Sequence, residues 1–298
     1  MVRKTVARIT ASKSKKPFGK KGCLFHYTSS LKKRQDGIWY ASKTNKVSYP
    51  AKGNEQCFGI EDKSFWFEHR NKCIIQLIKK FPPKGKGPIF DLGGGNGFVA
   101  KSIADAGWGV VLLEPSMSGV KNAKKRGLDH IICGTIESTN FKKGSLPAIG
   151  LFDVLEHIKD DLNILKKARQ SLKPQGLIYL TVPAYNIIWS QNDVNAGHFR
   201  RYRLIELEQK LDSAGFSLIF GTYIFKLLVL PIFLFRALPY YLGILERNVS
   251  KKAHLPNGGL FSALIKKSFY SELTRIEKKR PSCFGASCLL VARKTGNH

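Results

Sequence analysis

Short apolar runs alternate with amphipathic stretches over much of the chain. Apolar runs bounded by turn residues predict five buried strands, at 89–92, 109–113, 131–133, 148–153 and 177–182. Apolar positions at helical spacing predict helices at 62–81, 97–106, 116–126, 160–172 and 204–214. Strands that alternate with helices favour an α/β fold, with a mostly parallel sheet covered by helices on both faces.

Two further strands are predicted on either side of a long insertion. Residues 216–225 form the sixth strand and 287–293 the seventh. The insertion opens with an apolar, aromatic stretch, 227–245, which is broken by Pro231, Arg236 and Pro239, and a basic helical pattern follows at 261–276. The predicted organisation is a basic arm and irregular lead-in (1–60), a core (61–225), an apolar and basic helical insertion (226–281) and the last core strand (282–298).

A glycine-rich loop follows the first predicted strand and opens a helix. It reads Asp91-Leu-Gly93-Gly-Gly95-Asn-Gly97. Glycines let the backbone turn tightly and approach a ligand closely, with free amides at the helix start. Glu114 ends the next strand, where a carboxylate can accept both hydroxyls of a ribose. Together these features favour an adenosine-containing ligand over a purely structural turn.

The acidic residue before the glycines narrows the choice of ligand. Asp91 would repel a pyrophosphate and attract an ammonium group. With the segments FDVLEHI at 152–158 and LKPQG at 172–176, the chain resembles the class I S-adenosylmethionine-dependent methyltransferases over residues 60–225 and the last strand. It is most similar to the ubiquinone-type and glycan-cluster members, although Gln175 stands where many relatives have glycine.

The resemblance implies a Rossmann-like, seven-stranded sheet whose last strand is antiparallel, and S-adenosylmethionine as cofactor. It also implies that the cofactor contacts a set of loop and strand-end residues: Asp91, Gly93, Gly95, Gly97, Glu114, Pro115, Ile136, Glu137, Asp153 and Val154. The glycines and Asp91 would hold the methionine part, Glu114 the ribose, and Pro115, Ile136 and Glu137 the adenine. Asp153 and Val154 would lie beneath the methionine part, although Asp153 would also suit a helix N-cap.

Two histidines are candidates for acid–base work on the methyl acceptor. His198 lies in a loop that also holds Arg200, Arg201 and Tyr202, and similar loops occur in the glycan-cluster relatives. We interpret His198 as general base or substrate ligand, and His157 as a second catalytic candidate or a support for the cofactor. The arginines and Tyr202 would bind the substrate, or Asp193 would pair with Arg200 or Arg201 in a salt-linked loop. No metal-ligand spacing is evident in the sequence.

The excess of basic residues bears on what the chain binds. The chain has 50 Lys+Arg against 21 Asp+Glu, a formal charge of +29, and residues 1–34 contribute 11 of the bases and no acid. Such a surface attracts nucleic acid or an anionic membrane face, unless it is simply solvated. The first sixteen residues lack the apolar core of a secretory signal, and we expect a disordered basic arm there rather than a mitochondrial presequence. No CxxC pair is present, so we expect reduced thiols and a cytoplasmic protein.

The apolar insertion favours a lipid-binding or membrane-interface element, or else a core helix pair or dimer interface. After the fourth predicted strand, the chain lacks the Asn/Asp-Pro-Pro-aromatic loop that is typical of N-methylation. It also lacks the nucleophilic cysteine of cytosine methylation there and at the end of the fifth strand. These two absences favour O-methylation. The sequence therefore predicts an O-methyltransferase for a lipid-linked, quinone-like or glycan acceptor, peripheral at the inner membrane face. The alternatives are an RNA methyltransferase that uses the basic surface, and a non-catalytic protein of the same fold.

Overall fold

The computed structural model describes residues 23–42, 53–85, 87–244 and 260–296. The basic arm predicted for the first residues lies outside the described residues, apart from its last part. The middle of the insertion, with the basic residues Lys251 and Lys252, also lies outside them.

One mixed sheet runs through the described part of the molecule. Its strands in chain order are β1 (Lys32–Lys33), β2 (Trp39–Tyr40), β3 (Ile89–Leu92), β4 (Val110–Glu114), β5 (Ile131–Cys133), β6 (Leu146–Phe152), β7 (Leu172–Pro183), β8 (Phe216–Ile224) and β9 (Ser287–Lys294). The spatial order is β1-β2-β5-β4-β3-β6-β7-β9-β8. Strands β5, β4, β3, β6 and β7 are parallel, and β9 is antiparallel to both β7 and β8. The predicted Rossmann-like α/β fold with an antiparallel last strand is confirmed.

The helices connect and cover these strands. They are α1 (Gly53–Glu61), α2 (Phe65–Lys80), α3 (Phe98–Asp105), α4 (Met117–Lys125), α5 (Ile136–Thr139), α6 (Asp161–Ser171), α7 (Gln191–Ala196), α8 (Leu204–Ser213), α9 (Val229–Ile232), α10 (Leu238–Tyr241) and α11 (Leu260–Glu277). A π-helical turn, Phe233–Ala237, joins α9 to α10. Short 3₁₀ turns occur at Cys23–His26, Leu155–His157, Asn186–Ile188 and Lys226–Leu228.

Alternation of side chains along the strands builds two separate apolar layers. On β3, Ile89 belongs to the same apolar cluster as Ile74 of α2 and Ile103 of α3, whereas Phe90 belongs to the cluster on the opposite face, with Leu165 of α6 and Leu211 of α8. Because neighbouring strand residues point to opposite faces, a strand covered on both faces is apolar throughout. This explains why the interior strands could be recognised as continuous apolar runs.

The sheet has nine strands among the described residues instead of the predicted seven. The two additional strands, β1 and β2, come from the lead-in, and β2 pairs in parallel with β5 through Trp39 and Tyr40. Two-residue strands are too short to produce a periodic pattern, so the sequence could not indicate them. Asp36 organises the turn between them by accepting hydrogen bonds from the Ile38 amide and the Tyr40 hydroxyl.

The insertion contributes both packing and exposed surface. Helix α11 packs against α2, where His69 Nε2 lies 2.8 Å from Glu272 Oε2 and the His69 ring stacks on Phe269. The same Glu272 carboxylate accepts the backbone amides of Phe225 and Lys226, where the chain leaves β8. No described helix combines the length and the apolar character needed to cross a membrane.

Candidate active site

A cavity of about 1610 Å³ opens at the carboxyl edge of the parallel strands. Ligands bind at this edge in open α/β sheets, because the strand order reverses there and leaves a crevice. The glycine loop and Glu114 line one part of the cavity, and Asp153, His157 and His198 line another. The structure thus brings most of the predicted site residues around one space.

The glycine loop has the backbone that its sequence requires. Gly93, Gly95 and Gly97 have φ of 71°, 53° and 76°, in the left-handed region that a side chain disfavours. Gly94 is restricted by space instead, since a Cβ atom there would lie 2.6 Å from Asp91 Oδ2 and would collide with Leu112. The loop therefore packs closely on the residues beneath it, and Gly93, Gly94 and Gly95 line the cavity.

Asp91 is buried beneath this loop, with 1% of its surface exposed. Its Oδ2 atom has no hydrogen-bond partner among the described residues. Burial raises the pKa of Asp91 to about 7, with the Glu114 charge adding to the increase and Arg70 opposing it. A buried carboxylate oxygen without a partner suits an ammonium group, such as the amino end of S-adenosylmethionine.

Glu114 ends β4, as predicted, and holds the loop in place. Its Oε2 accepts the Gly95 amide at 2.9 Å and its Oε1 accepts the Ser116 amide at 2.8 Å. Asn54 of α1 also hydrogen-bonds to this carboxylate. Each carboxylate oxygen can accept a second hydrogen bond, so ribose hydroxyls remain compatible with this arrangement.

The predicted adenine side lies after β5. Pro115, Ile136 and Glu137 all line the cavity. Burial would raise the pKa of Glu137, but hydrogen bonds from Lys167 (2.8 Å), its own backbone amide and Thr135, with the Lys167 charge, together lower that pKa. Glu137 is therefore engaged by α6, while Ile136 supplies an apolar surface.

Asp153 pairs with a residue that sequence reasoning missed. Its Oδ2 binds Arg70 of α2, and its Oδ1 accepts a 2.8 Å hydrogen bond from Thr181 of β7. The alternative role as an N-cap does not apply, since Val154 occupies the N-cap of the following 3₁₀ turn, which receives no side-chain cap. Val154 lies under Gly93, whose Cβ would approach it to 3.0 Å. No local signal marks Arg70, because its partner is 83 residues away.

His198 is held by a buried carboxylate. Its Nδ1 lies 2.9 Å from Asp193 Oδ1, and Arg201 donates to the same carboxylate from Nε (2.8 Å) and Nη2 (2.9 Å). Burial would raise the pKa of Asp193, but the hydrogen bonds from His198 and Arg201 lower it to about 2. Of the predicted salt links, Asp193 therefore pairs with Arg201 and not with Arg200, and the same carboxylate orients the His198 ring.

His157 lies beside His198, with 4.7 Å between ring centroids. Burial and the neighbouring His198 lower the pKa of His157 to about 4, against hydrogen bonds to the backbone of Gly197 and Ala196. Its ring is therefore neutral near pH 7. Glu156 is buried next to it, and burial together with Asp153 raises the pKa of the Glu156 carboxyl well above its usual range.

Two predicted substrate contacts lie away from the cavity wall. Arg200 donates to Asp161 Oδ2 at 2.9 Å and to the Lys159 carbonyl. Tyr202 is 1% exposed, and its hydroxyl donates to the same Asp161 at 2.8 Å. Both side chains fasten the loop to α6, so of the predicted substrate residues only Arg201 reaches the cavity. Burial of Tyr202 in the loop could not be seen from composition.

Two groups of described side chains have the spacing to hold a metal ion: His69, Cys73 and Glu272 between α2 and α11, and a second group in the cavity wall. Glu156, His157 and His198 each place a ligand atom within 4.8 Å of the others. The sequence shows no such set, because α6, β7 and α7 lie between the two histidines. These atoms could accept a divalent cation at the acceptor end of the cavity.

The insertion and α2 complete the cavity wall. Ile232 and Arg236 line it from the segment 229–241, and Phe65, Trp66 and Phe67 line it from α2.

Comparisons with known proteins agree with this geometry. The methyltransferase-domain family matches residues 66–219. A Mycolicibacterium smegmatis protein named as an S-adenosylmethionine-dependent methyltransferase is 22% identical over 174 residues, covering 56% of this chain and 65% of that protein. The ubiquinone biosynthesis O-methyltransferase of Hydrogenovibrio crunogenus is 25% identical over 118 residues, covering 37% of this chain and 48% of its own length. The match thus spans less than two thirds of either relative.

A solved structure shows the same fold. A chain from the complex of the Haloferax volcanii Trm112 methyltransferase activator with a methyltransferase superposes with a TM-score of 0.53, at 16% identity. The superposition covers 83% of this chain and 95% of that chain. The family match covers more than half of the sequence and contains the glycine loop, Glu114 and the His198 loop. The chain therefore belongs to the methyltransferase-domain family of class I S-adenosylmethionine-dependent methyltransferases, with S-adenosylmethionine as its cofactor.

Proposed function

We propose that this chain transfers the methyl group of S-adenosylmethionine to a hydroxyl oxygen of an amphipathic acceptor. The observation that carries the proposal is the Asp193–His198 pair in the wall of the same cavity as the glycine loop. A hydroxyl becomes a better nucleophile as its proton is removed, and histidine suits that task near neutral pH.

The chain's own residues divide the work in this proposal. Asp193 accepts the Nδ1 proton of His198, which leaves Nε2 as the nitrogen that takes the acceptor proton. The negative charge of Asp193 then stabilises the imidazolium. His157, which is neutral, packs against the His198 ring without adding a competing positive charge.

The cofactor would be held by the other half of the cavity. Asp91 would face its amino group, Glu114 its ribose, and the glycine-loop amides its methionine carboxylate. When bound, the cofactor supplies an electrophilic methyl group on a sulfonium. Arg70 fixes Asp153 between these two halves.

The insertion and the relatives both favour an acceptor with a large apolar part. Ile232 and Trp66 give the cavity an apolar wall. Outside the cavity, the same insertion exposes Leu230, Phe235 and Leu242. An apolar surface of this kind next to a basic protein suits the face of an anionic membrane. With a ubiquinone O-methyltransferase among the relatives, a lipid-linked or quinone-like acceptor is favoured over a glycan.

A second candidate, RNA methylation, is favoured only by the charge of +29. Binding to RNA would weaken steeply as salt is raised, because phosphate contacts release counterions.

Partition of a methyl label distinguishes these acceptors. The full chain is incubated with methyl-labelled S-adenosylmethionine and a membrane-containing extract, and the product is extracted with organic solvent. We expect label in the organic phase, and a loss of roughly a hundredfold in the His198→Ala variant. The exposed His26 provides a matched histidine-to-alanine control.

Label that stays in water and disappears on nuclease treatment would favour the RNA methyltransferase instead. Water-soluble label that resists nuclease would contradict a lipid-linked acceptor. Equal turnover in His198→Ala and His26→Ala would remove His198 from the role of base.

A further inference from the structure

Three side chains that can ligate a metal meet between α2 and α11, and none of them lines the cavity. Cys73 follows His69 by one helical turn on α2, and Glu272 comes from α11. His69 Nε2 lies 2.8 Å from Glu272 Oε2 and 3.4 Å from Cys73 Sγ. At most 4% of each residue is exposed. Nitrogen, sulfur and oxygen ligand atoms therefore converge on one buried point of the fold.

Hydrogen bonds at His69 Nε2 cannot satisfy both of its neighbours at once. In a neutral imidazole this nitrogen carries one hydrogen or offers one lone pair, yet it faces a carboxylate oxygen and a sulfur atom. A hydrogen there can be donated to Glu272, and the Cys73 thiol then finds no acceptor in the ring. Without that hydrogen, the nitrogen and the ionised carboxylate repel each other. A cation among the three atoms removes the conflict, because each atom then offers it a lone pair.

The surroundings of the cluster are aromatic and favour a group without net charge. The His69 ring stacks on Phe269, with 3.7 Å between ring centroids, and is edge-on to Phe225 at 5.3 Å. Buried charges are costly unless they are balanced. One thiolate, one carboxylate and a neutral imidazole balance a divalent cation fully. The backbone amides of Phe225 and Lys226 also donate to Glu272, which fixes its carboxylate in place.

We propose that His69, Cys73 and Glu272 bind a divalent cation of the zinc type, which joins the insertion to the core. Zinc binds imidazole nitrogen, thiolate sulfur and carboxylate oxygen, and the ligand atoms of a tetrahedral ion lie roughly 3.3–3.7 Å apart. The observed separations of 2.8 Å and 3.4 Å need to open only slightly to reach that range. Three protein ligands leave one position for a fourth ligand, such as water. This site is separate from the cavity, so the inference does not depend on the proposed methyl acceptor.

The ion connects the insertion to a helix that forms part of the cavity wall. Arg70, the residue after His69 on α2, binds Asp153 in the candidate active site. Trp66, one turn earlier, lines the cavity and stacks on Phe225 with 3.7 Å between ring centroids. Since structural metal sites contribute directly to folding free energy, we expect the ion to stabilise the packing of α11 on α2.

The test supplies the metal while the chain folds, because the cluster is buried. The full chain is produced in minimal medium that contains either zinc or cobalt, and the metal content of each product is measured by mass spectrometry. We expect about one ion per chain, and in the cobalt product we expect the near-ultraviolet absorption of a cobalt–thiolate bond. Removing the zinc with a chelator should lower Tm by roughly 5 °C or more, because the ion binds the folded chain.

Matched variants assign the ion to these ligands. Cys73→Ala should lose the cobalt–thiolate absorption, whereas Cys288→Ala, which removes an equally buried thiol from β9, should keep it. His157→Gln should also keep the absorption, because the group formed by Glu156, His157 and His198 contains no sulfur. Circular dichroism checks that each variant is folded.

A folded parent chain that carries no metal would overturn the proposal, and this result does not depend on any variant. Bound cobalt without the thiolate absorption would place the ion at other residues. Absorption that persists in Cys73→Ala would assign the ion to another cysteine. An unchanged Tm after removal of the zinc would contradict the role of the ion in joining α11 to α2.

Discussion

The His198 imidazole and the Asp193 carboxylate are joined by a 2.9 Å hydrogen bond across the turn that ends α7. Replacing Asp193 with Asn keeps the shape and removes the charge that stabilises the imidazolium. We expect methyl transfer to fall by roughly tenfold to a hundredfold, with the affinity for S-adenosylhomocysteine retained.

Asp212→Asn provides the matched control, because Asp212 is exposed on α8. Steady-state kinetics across pH measures both variants. Unchanged kinetics in Asp193→Asn would show that Asp193 merely anchors Arg201.

Cofactor affinity should depend on the ionisation of Asp91. The pKa of this buried carboxyl is raised to about 7, and an ammonium group binds the ionised form. Affinity for S-adenosylhomocysteine should therefore rise roughly tenfold between pH 6 and pH 8. Calorimetry should find this slope removed in Asp91→Asn and kept in Asp105→Asn, whose carboxylate is exposed. A slope that persists in Asp91→Asn would assign the effect to another group.

A methyl group on Gly94 should damage the cofactor site. Its Cβ would lie 2.6 Å from Asp91 Oδ2 and against Leu112, so Asp91 or the loop must move. We expect Gly94→Ala to weaken S-adenosylhomocysteine binding by roughly tenfold or more. Gly59→Ala in α1 meets nothing within 4 Å and should bind normally. Equal affinities in the two variants would exclude the predicted contact.

The half-buried His157 should make the fold sensitive to acid. Its pKa is about 4 in the folded chain and near 6.5 in the unfolded chain, so the unfolded chain binds the extra proton between these values. Stability should therefore fall as pH drops from about 6.5 to about 4, and should be lower by about 2 kcal/mol at pH 5 than at pH 7.5 on this account.

Urea denaturation at both pH values tests this expectation. His157→Asn should reduce the difference between pH 5 and pH 7.5, whereas His26→Ala should leave it unchanged. If the free energy of unfolding differs by the same amount in His157→Asn, other groups cause the loss of stability at acid pH.

Gln175 occupies a backbone conformation that favours glycine. Its φ is 63°, and the side chain is exposed at the start of β7. Gln175→Gly should stabilise the fold by up to about 1 kcal/mol, since a left-handed residue with a Cβ is strained. Gln175→Ala keeps the Cβ and should change little. Thermal denaturation compares the two, and a destabilised Gln175→Gly would mean that side-chain contacts outweigh the strain.

Features that arise from local rules could be predicted from the sequence. The interior strands are buried on both faces, so their apolar runs are unambiguous, and the loop from Asp91 to Gly97 needs glycine for its own backbone. Glu114 could be located because a strand end places it there. The start of α7 also carried a usable signal, since Ser190 and Asp193 have the spacing of a capping box and form one.

Features that depend on contacts between distant segments could not be predicted. In the sequence, Arg70 is one of several polar positions on an amphipathic helix. Its role becomes visible only in the fold, where it binds Asp153. The burial of Tyr202 depends on α6, and the addition of β2 depends on an open edge at β5. The position of Arg236 in the cavity wall depends on how its helix is turned, which the sequence does not show.

The placement of β9 has a consequence for the order in which the molecule assembles. Strand β8 joins the sheet only through β9, which lies between it and β7 and follows it in the chain by more than sixty residues. As the chain emerges during synthesis, β7 must keep an unpaired edge until residues 287–294 arrive. Closure of that gap is a long-range event with a high entropic cost, and such events slow folding. Until it occurs, the newly made chain exposes a buried edge to aggregation, and a shortened product that lacks β9 would keep that exposure permanently.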